Sequence, residues 1–172
     1  MISWDLVANA VVAGILLGGF YAAVSLGVSL TFGLLDVVNI AHPAFVILGA
    51  YAAYMMNSTL GLDPILTGVL FTPLFYAIGA GVYRIYYASF ERRGEESLRG
   101  LVFFFGVLFI IEVALSLTYG VDYRLVEAVY IGKSIELGGI GIAFRLLVPC
   151  VVGLLMTLAL YLFLSRSSTA GP

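Results

Sequence analysis

An acid, an amide and the only histidine of the chain stand close together in the run Gly33-Leu34-Leu35-Asp36-Val37-Val38-Asn39-Ile40-Ala41-His42-Pro43-Ala44-Phe45. Asn39 offers two donors and an acceptor, and His42 can donate or accept at neutral pH. Pro43 has no N–H and disfavours helical geometry at His42, yet it suits the first turn of a new helix. The segment is therefore predicted to be an interrupted helix that restarts at about Pro43. Half-helix N-termini at such interruptions can face the anionic group of a solute, such as the carboxylate of an amino acid. A second reading stays open: Asp36 to Pro43 is a cytoplasmic turn in which Asn39 and His42 only cap or lock the backbone. Glu112, in Phe109-Ile110-Ile111-Glu112-Val113, is a further isolated charge. It either bonds to a neighbouring helix as a protonated acid or lines an aqueous path. Asp36, Asn39, His42, Pro43 and Glu112 are thus the candidate path or gate residues. A membrane enzyme using His42 as base or metal ligand lacks a second His, a Cys or a local acid pair at ligand or triad spacing. The sequence has no phosphate-binding G-x-x-x-x-G-K-[ST] loop, and neither a cofactor nor a metal is expected.

The composition says what must hold these residues. The 172 residues are 62% hydrophobic and 10% charged, with a mean hydropathy of +1.12. Soluble domains average about 45–50% apolar and about 25% charged. A soluble fold of this size could not hide so much apolar surface, so the bilayer is the solvent. A net charge of -2 gives no reason to expect nucleic acid as a partner. Cys150 is the only cysteine and cannot form an intramolecular disulfide. Met1-Ile2-Ser3-Trp4-Asp5 has no basic n-region, so the start does not read as a cleavable signal peptide.

Apolar runs place spans at roughly 6–30, 34–56, 65–83, 101–117 and 144–164, the second only if its polar residues are included. In lipid every backbone group must be satisfied internally, so these are helices. The expected fold is all-α: a polytopic transmembrane bundle of about five spans with one interrupted helix. Small residues recur at helical spacing in the first span, as Ala10, Gly14, Gly18, Ala22 and again as Gly19, Ala23, Gly27, Thr31. Gly14, Gly18, Ala22 and Gly27 are the expected helix-packing positions. Arg145 should snorkel at the start of the fifth span, and Pro149 should kink it. No Lys or Arg precedes Arg84, whereas Arg84, Arg92, Arg93 and Arg99 cluster between the third and fourth spans. The positive-inside rule puts the 84–99 loop and the C-terminus in the cytoplasm, the 120–142 loop outside, and the N-terminus outside. The 120–142 loop is too apolar for a free linker and should have local structure or lie on the bilayer.

These same residues carry a resemblance. Leu30-Thr31-Phe32-Gly33-Leu34-Leu35-Asp36-Val37-Val38-Asn39-Ile40-Ala41-His42 resembles the signature of the Liv-type permeases of branched-chain amino-acid ABC importers, "FG-x-x-x-x-x-N-x-AHG" followed by "LGAY". Leu48-Gly49-Ala50-Tyr51 stands in the latter place. Glu91-Arg92, Leu98-Arg99-Gly100, Leu137-Gly138-Gly139-Ile140 and Leu158 to Leu164 also fit, and Tyr119 to Arg124 resembles the family's "WGPDYR". The chain departs from the pattern at Pro43, where the family has Gly, and at Ala44, where a polar or acidic residue often follows. That departure touches any substrate contact such an acid would make. The resemblance implies that residues 1–166 form the N-terminal part of an ABC permease domain, with an atypical polar tail at 167–172. A cut-short or frameshifted permease is the expectation. It implies a subunit that imports branched-chain or other amino acids, or a related small solute such as urea or an amide. It further implies, as partners in a bacterial inner membrane or its equivalent, a second permease subunit, ATP-binding subunits that hydrolyse ATP in place of this chain, and a periplasmic substrate-binding protein. A small channel or secondary transporter outside any ABC system is the alternative reading.

Overall fold

The computed structural model describes residues 3–35, 38–93, 96–128 and 130–168. In chain order the elements are α1 (Trp4–Leu35), α2 (His42–Leu60), α3 (Pro64–Ser89), a 3-10 turn (Glu91–Arg93), α4 (Glu96–Tyr119), β1 (Ser134–Leu137), β2 (Ile140–Ala143) and α5 (Phe144–Ser168). Among the described residues four stretches are long and apolar enough to cross a membrane: Trp4–Gly33, Pro64–Ser89, Leu98–Tyr119 and Phe144–Arg166. The fold is a polytopic membrane helix bundle. Helix α2 is not among the four, because His42 and Pro43 at its start and Asn57, Ser58 and Thr59 at its close dilute an apolar middle. The bilayer as solvent also explains the packing. Among the described residues the hydrophobic ones buried within the chain are Ala41, Ala44, Tyr86, Phe104 and Cys150, while Ile110 and Leu117 on α4 stand 71% and 83% exposed.

Local chemistry sets the helix ends. Gly61, at φ 64°, closes α2, and its N–H bonds to the Asn57 carbonyl at 2.9 Å. That left-handed conformation carries almost no penalty for glycine. Asp63 then caps α3, its carboxylate accepting the Ile65 N–H at 2.8 Å, and Pro64 fills the first turn. Helix α5 runs through Pro149 and on to Ser168, into the stretch expected as a polar tail; residues 169–172 lie outside the described ones.

Two compact units divide the chain, residues 1–27 with 128–172 and residues 28–127. In the first, β1 and β2 pair antiparallel, Leu137 opposite Ile140, through a turn with Gly138 at φ 56° and Gly139 at φ 90°. Positive φ at both central residues is the type I′ geometry that a tight hairpin needs. Asn9 on α1 binds this hairpin with both ends of its amide: Nδ2 donates to the Gly139 carbonyl at 3.1 Å, and Oδ1 accepts the Gly141 N–H at 2.7 Å. In the second unit α2 packs against both α3 and α4. Ala41, Tyr86 and Phe104 form its buried centre. Near the other end Tyr51 stacks on Tyr119 at 4.6 Å, and the Tyr119 hydroxyl meets the Met55 sulfur at 3.6 Å. Thus α2 runs alongside α4 from Phe104 to Tyr119, roughly 22 Å at the helical rise.

Candidate functional site

The break between α1 and α2 is built from its own backbone. Asn39 Oδ1 accepts the Ala41 N–H at 3.1 Å, the His42 N–H reaches the Asn39 carbonyl at 3.4 Å, and the Phe45 N–H reaches the Ala41 carbonyl at 3.2 Å. This is an Asx-type turn leading into a helix. It begins at His42, with Pro43 in the first turn, where a missing N–H costs nothing. Ala41 has no exposed surface and packs with Tyr86 and Phe104, so a larger residue there would have no room. Asp36, the first of the candidate path residues, lies outside the described residues. Tyr86 is in the last turn of α3, and Phe104 follows the start of the Leu98–Tyr119 span. The break therefore sits toward the arginine-bearing end of this unit and not at mid-span.

Cavities flank the first turns of α2. One, of about 300 Å³, is lined by Asn39, His42, Thr31 and Tyr83 together with the rings of Phe45 and Phe75. Its hydroxyls are engaged: Thr31 donates to the Val28 carbonyl at 2.9 Å, and Tyr83 donates to the Glu91 carboxylate at 3.2 Å. Another, of about 310 Å³, runs between α2 and α4 from Pro43 past Ile47 to Tyr51, and from Leu108 to Glu112 and Ser116. Glu112 is exposed and about midway between Phe104 and Tyr119. The structure thus brings Asn39 and His42 to one cavity and Pro43 and Glu112 to another.

The small-residue positions divide. Ala10, Gly14, Gly18 and Ala22 are exposed, and a Cβ added at Gly14 or Gly18 would meet nothing within 4 Å. Contact between α1 and α5 goes through the second ridge. A Cβ at Gly19 would collide with the Cys150 sulfur, and one at Gly153 would stand 2.8 Å from the Ala23 Cβ and 3.1 Å from the Gly19 carbonyl. Gly27 is half-buried.

Sequence reasoning missed Asn9 and Asn57. Asn57 Nδ2 donates to the carbonyls of Leu62 at 3.0 Å and Glu127 at 2.9 Å, and Oδ1 accepts the Glu127 N–H at 3.1 Å. Arg124 reinforces this end, donating to the Tyr119 carbonyl at 3.0 Å with its guanidinium 5.9 Å from the Tyr54 ring. The partners that make them matter, Gly139 and Gly141 for Asn9 and Glu127 for Asn57, are backbone groups far along the chain, so no local pattern betrays either asparagine. Gly100 is more than a letter of the family pattern. Its reason is steric: a Cβ there would stand 2.9 Å from the buried Tyr86 ring.

Residues 10–169 match the family model described as branched-chain amino acid transport system / permease component. The chain is 24% identical over 166 residues to the high-affinity branched-chain amino acid transport system permease protein BraD of Pseudomonas aeruginosa, covering 91% of this chain and 54% of that one. It is 26% identical over 113 residues to the corresponding protein LivH of Escherichia coli, covering 62% of this chain and 37% of that one. The chain therefore spans about half the length of BraD and less of LivH. No solved structure matches it. A family match over nearly the whole sequence, on a bundle of membrane-spanning helices, has one reading: the chain belongs to the permease components of branched-chain amino acid transport systems.

Proposed function

We propose that this chain forms part of the translocation path of an ABC importer for branched-chain or other amino acids, or for a related small solute such as urea or an amide. It is not itself an enzyme; ATP is hydrolysed on separate subunits. A second permease subunit completes the path in the inner membrane, and a periplasmic binding protein delivers the solute to the 120–142 segment. The observation that carries the reading is the family match across residues 10–169. The cavity at the break supports it, since Asn39 and His42 stand at one side of a space walled by Phe45 and Phe75. Polar groups against aromatic walls suit a solute with a polar head and an apolar body.

Reconstitution tests the reading. Vesicles holding the chain, ATP-binding subunits, a second permease subunit and the binding protein should take up labelled leucine only when ATP is supplied and only when the chain is present. Flux without ATP would favour the channel or secondary transporter and overturn the proposal. Charge reversal at Glu127, Lys133 and Glu136 should weaken docking of the binding protein; unchanged docking removes that role from the segment.

Asn39 can be assigned within the same assay. Asn39→Asp keeps the oxygen that accepts the Ala41 N–H, whereas Asn39→Ala loses it. A path role for the amide predicts lost uptake in both variants, with normal assembly. If Asn39→Asp transports normally and Asn39→Ala assembles poorly, Asn39 only locks the turn.

A further inference from the structure

We infer that the α2–α4 cavity receives the ammonium group of an amine-bearing solute on Glu112, with Tyr51 and Ser116 beside it. The inference rests on the permease reading and adds to it the chemical class of the solute's head group. Glu112, Tyr51 and Ser116 line one cavity of about 310 Å³. None of the three side chains makes a hydrogen bond or ion pair among the described residues. The remaining walls are apolar, among them Ile47, Leu108 and Leu115.

Polar groups without partners at the depth of a spanning helix are costly. Here they line one cavity, so one occupant could satisfy all three. A carboxylate accepts and does not donate, and hydroxyl oxygens can accept as well. The complementary group has several donors, a positive charge and no acceptor, which describes a primary ammonium. The aliphatic walls complete the specification as an ammonium on a short apolar body. A cavity of this size lies at the small end of those that enclose organic ligands.

A primary ammonium has another source, a lysine of a partner helix, and the test separates the two. Leucine, isoamylamine (leucine without its carboxylate) and isocaproate (leucine without its amino group) serve as probes. With the chain in lipid nanodiscs, isoamylamine should bind by titration calorimetry and isocaproate should not. Glu112→Gln should weaken isoamylamine at least about tenfold, the loss expected of one charge-assisted contact. Tyr51→Phe and Ser116→Ala should each weaken it by about threefold, and they keep the test valid if the Glu112 variant fails to insert. Equal binding of isocaproate, or isoamylamine binding unmoved by all three changes, overturns the inference. So does a Glu112→Gln variant that loses its partner subunit while binding isoamylamine normally, because Glu112 would then hold a lysine. Binding in nanodiscs needs no transport. Normal binding without ATP-driven uptake would retire the permease reading alone, and normal uptake without binding would retire this inference alone.

Discussion

Gly153 shows how little room this bundle leaves where two helices touch. The absent side chain brings α5 against the backbone of α1, with the Gly19 carbonyl 3.1 Å from where a Cβ would be. Backbone cannot swing aside as a long side chain can. Gly153→Ala should therefore force the helices apart and cost about 1–3 kcal/mol, the range for overpacking a filled interior. Thermal unfolding in detergent reads this directly. Gly14→Ala is the control, because its Cβ would enter open space and the melting temperature should not move. A Gly153→Ala protein as stable as the parent would show that the contact adjusts freely. The sequence could not choose between the ridges of α1, since both have small residues at the same spacing. Only the position of Cys150 and Gly153 on α5 selects Gly19 and Ala23.

Elements differ in how far the sequence announces them. The spanning helices follow from apolar length alone, and Pro43 marks the restart of the broken one within a residue of its start at His42. The hairpin does not follow in the same way, although Gly138-Gly139 between Ser134–Leu137 and Ile140–Ala143 is a type I′ turn signal. Four-residue strands are too short for hydropathy to register. The loop beyond α4 is held by contacts that no pattern predicts, because Asn57 mimics a neighbouring strand for Glu127, using both ends of one amide. Asn57→Ala should remove those bonds, cost about 1–2 kcal/mol and leave the Glu127 N–H to water. Hydrogen exchange at the Glu127 amide should accelerate while the amides of α4 stay protected. Simultaneous loss of protection across α4 would mean that Asn57 supports the helix and not the loop.

At the scale of the molecule the number of bilayer crossings turns on α2. Hydropathy leaves α2 short of the criterion that α1, α3, α4 and α5 meet. Geometry argues for a crossing all the same. Helix α2 starts beside Tyr86 and Phe104 and ends where Asn57 holds Glu127, so it accompanies α4 along the span from Phe104 to Tyr119. A re-entrant segment would turn back before reaching Tyr119. With α2 crossing, five passes put the N-terminus and the 120–142 segment outside, and they put Arg84, Arg92, Arg99 and Arg166 inside, as the positive-inside rule requires. Cysteine labelling in intact cells decides it. A Cys150→Ala background is suitable, because the change removes only the sulfur that meets Gly19. In that background Ser3→Cys, Ser58→Cys and Ser134→Cys should react with an impermeant thiol reagent, and Ser97→Cys should react only after the cells are opened. Reaction at Ser97 with protection at Ser134 would invert the whole topology. Protection at Ser3 until lysis, with Ser58 and Ser134 still reactive, would leave the arginine argument intact and make α2 a re-entrant helix with the N-terminus inside, because α3 separates Ser58 from Ser97 in either case; Glu112 and its cavity would then stand in a different relation to the path.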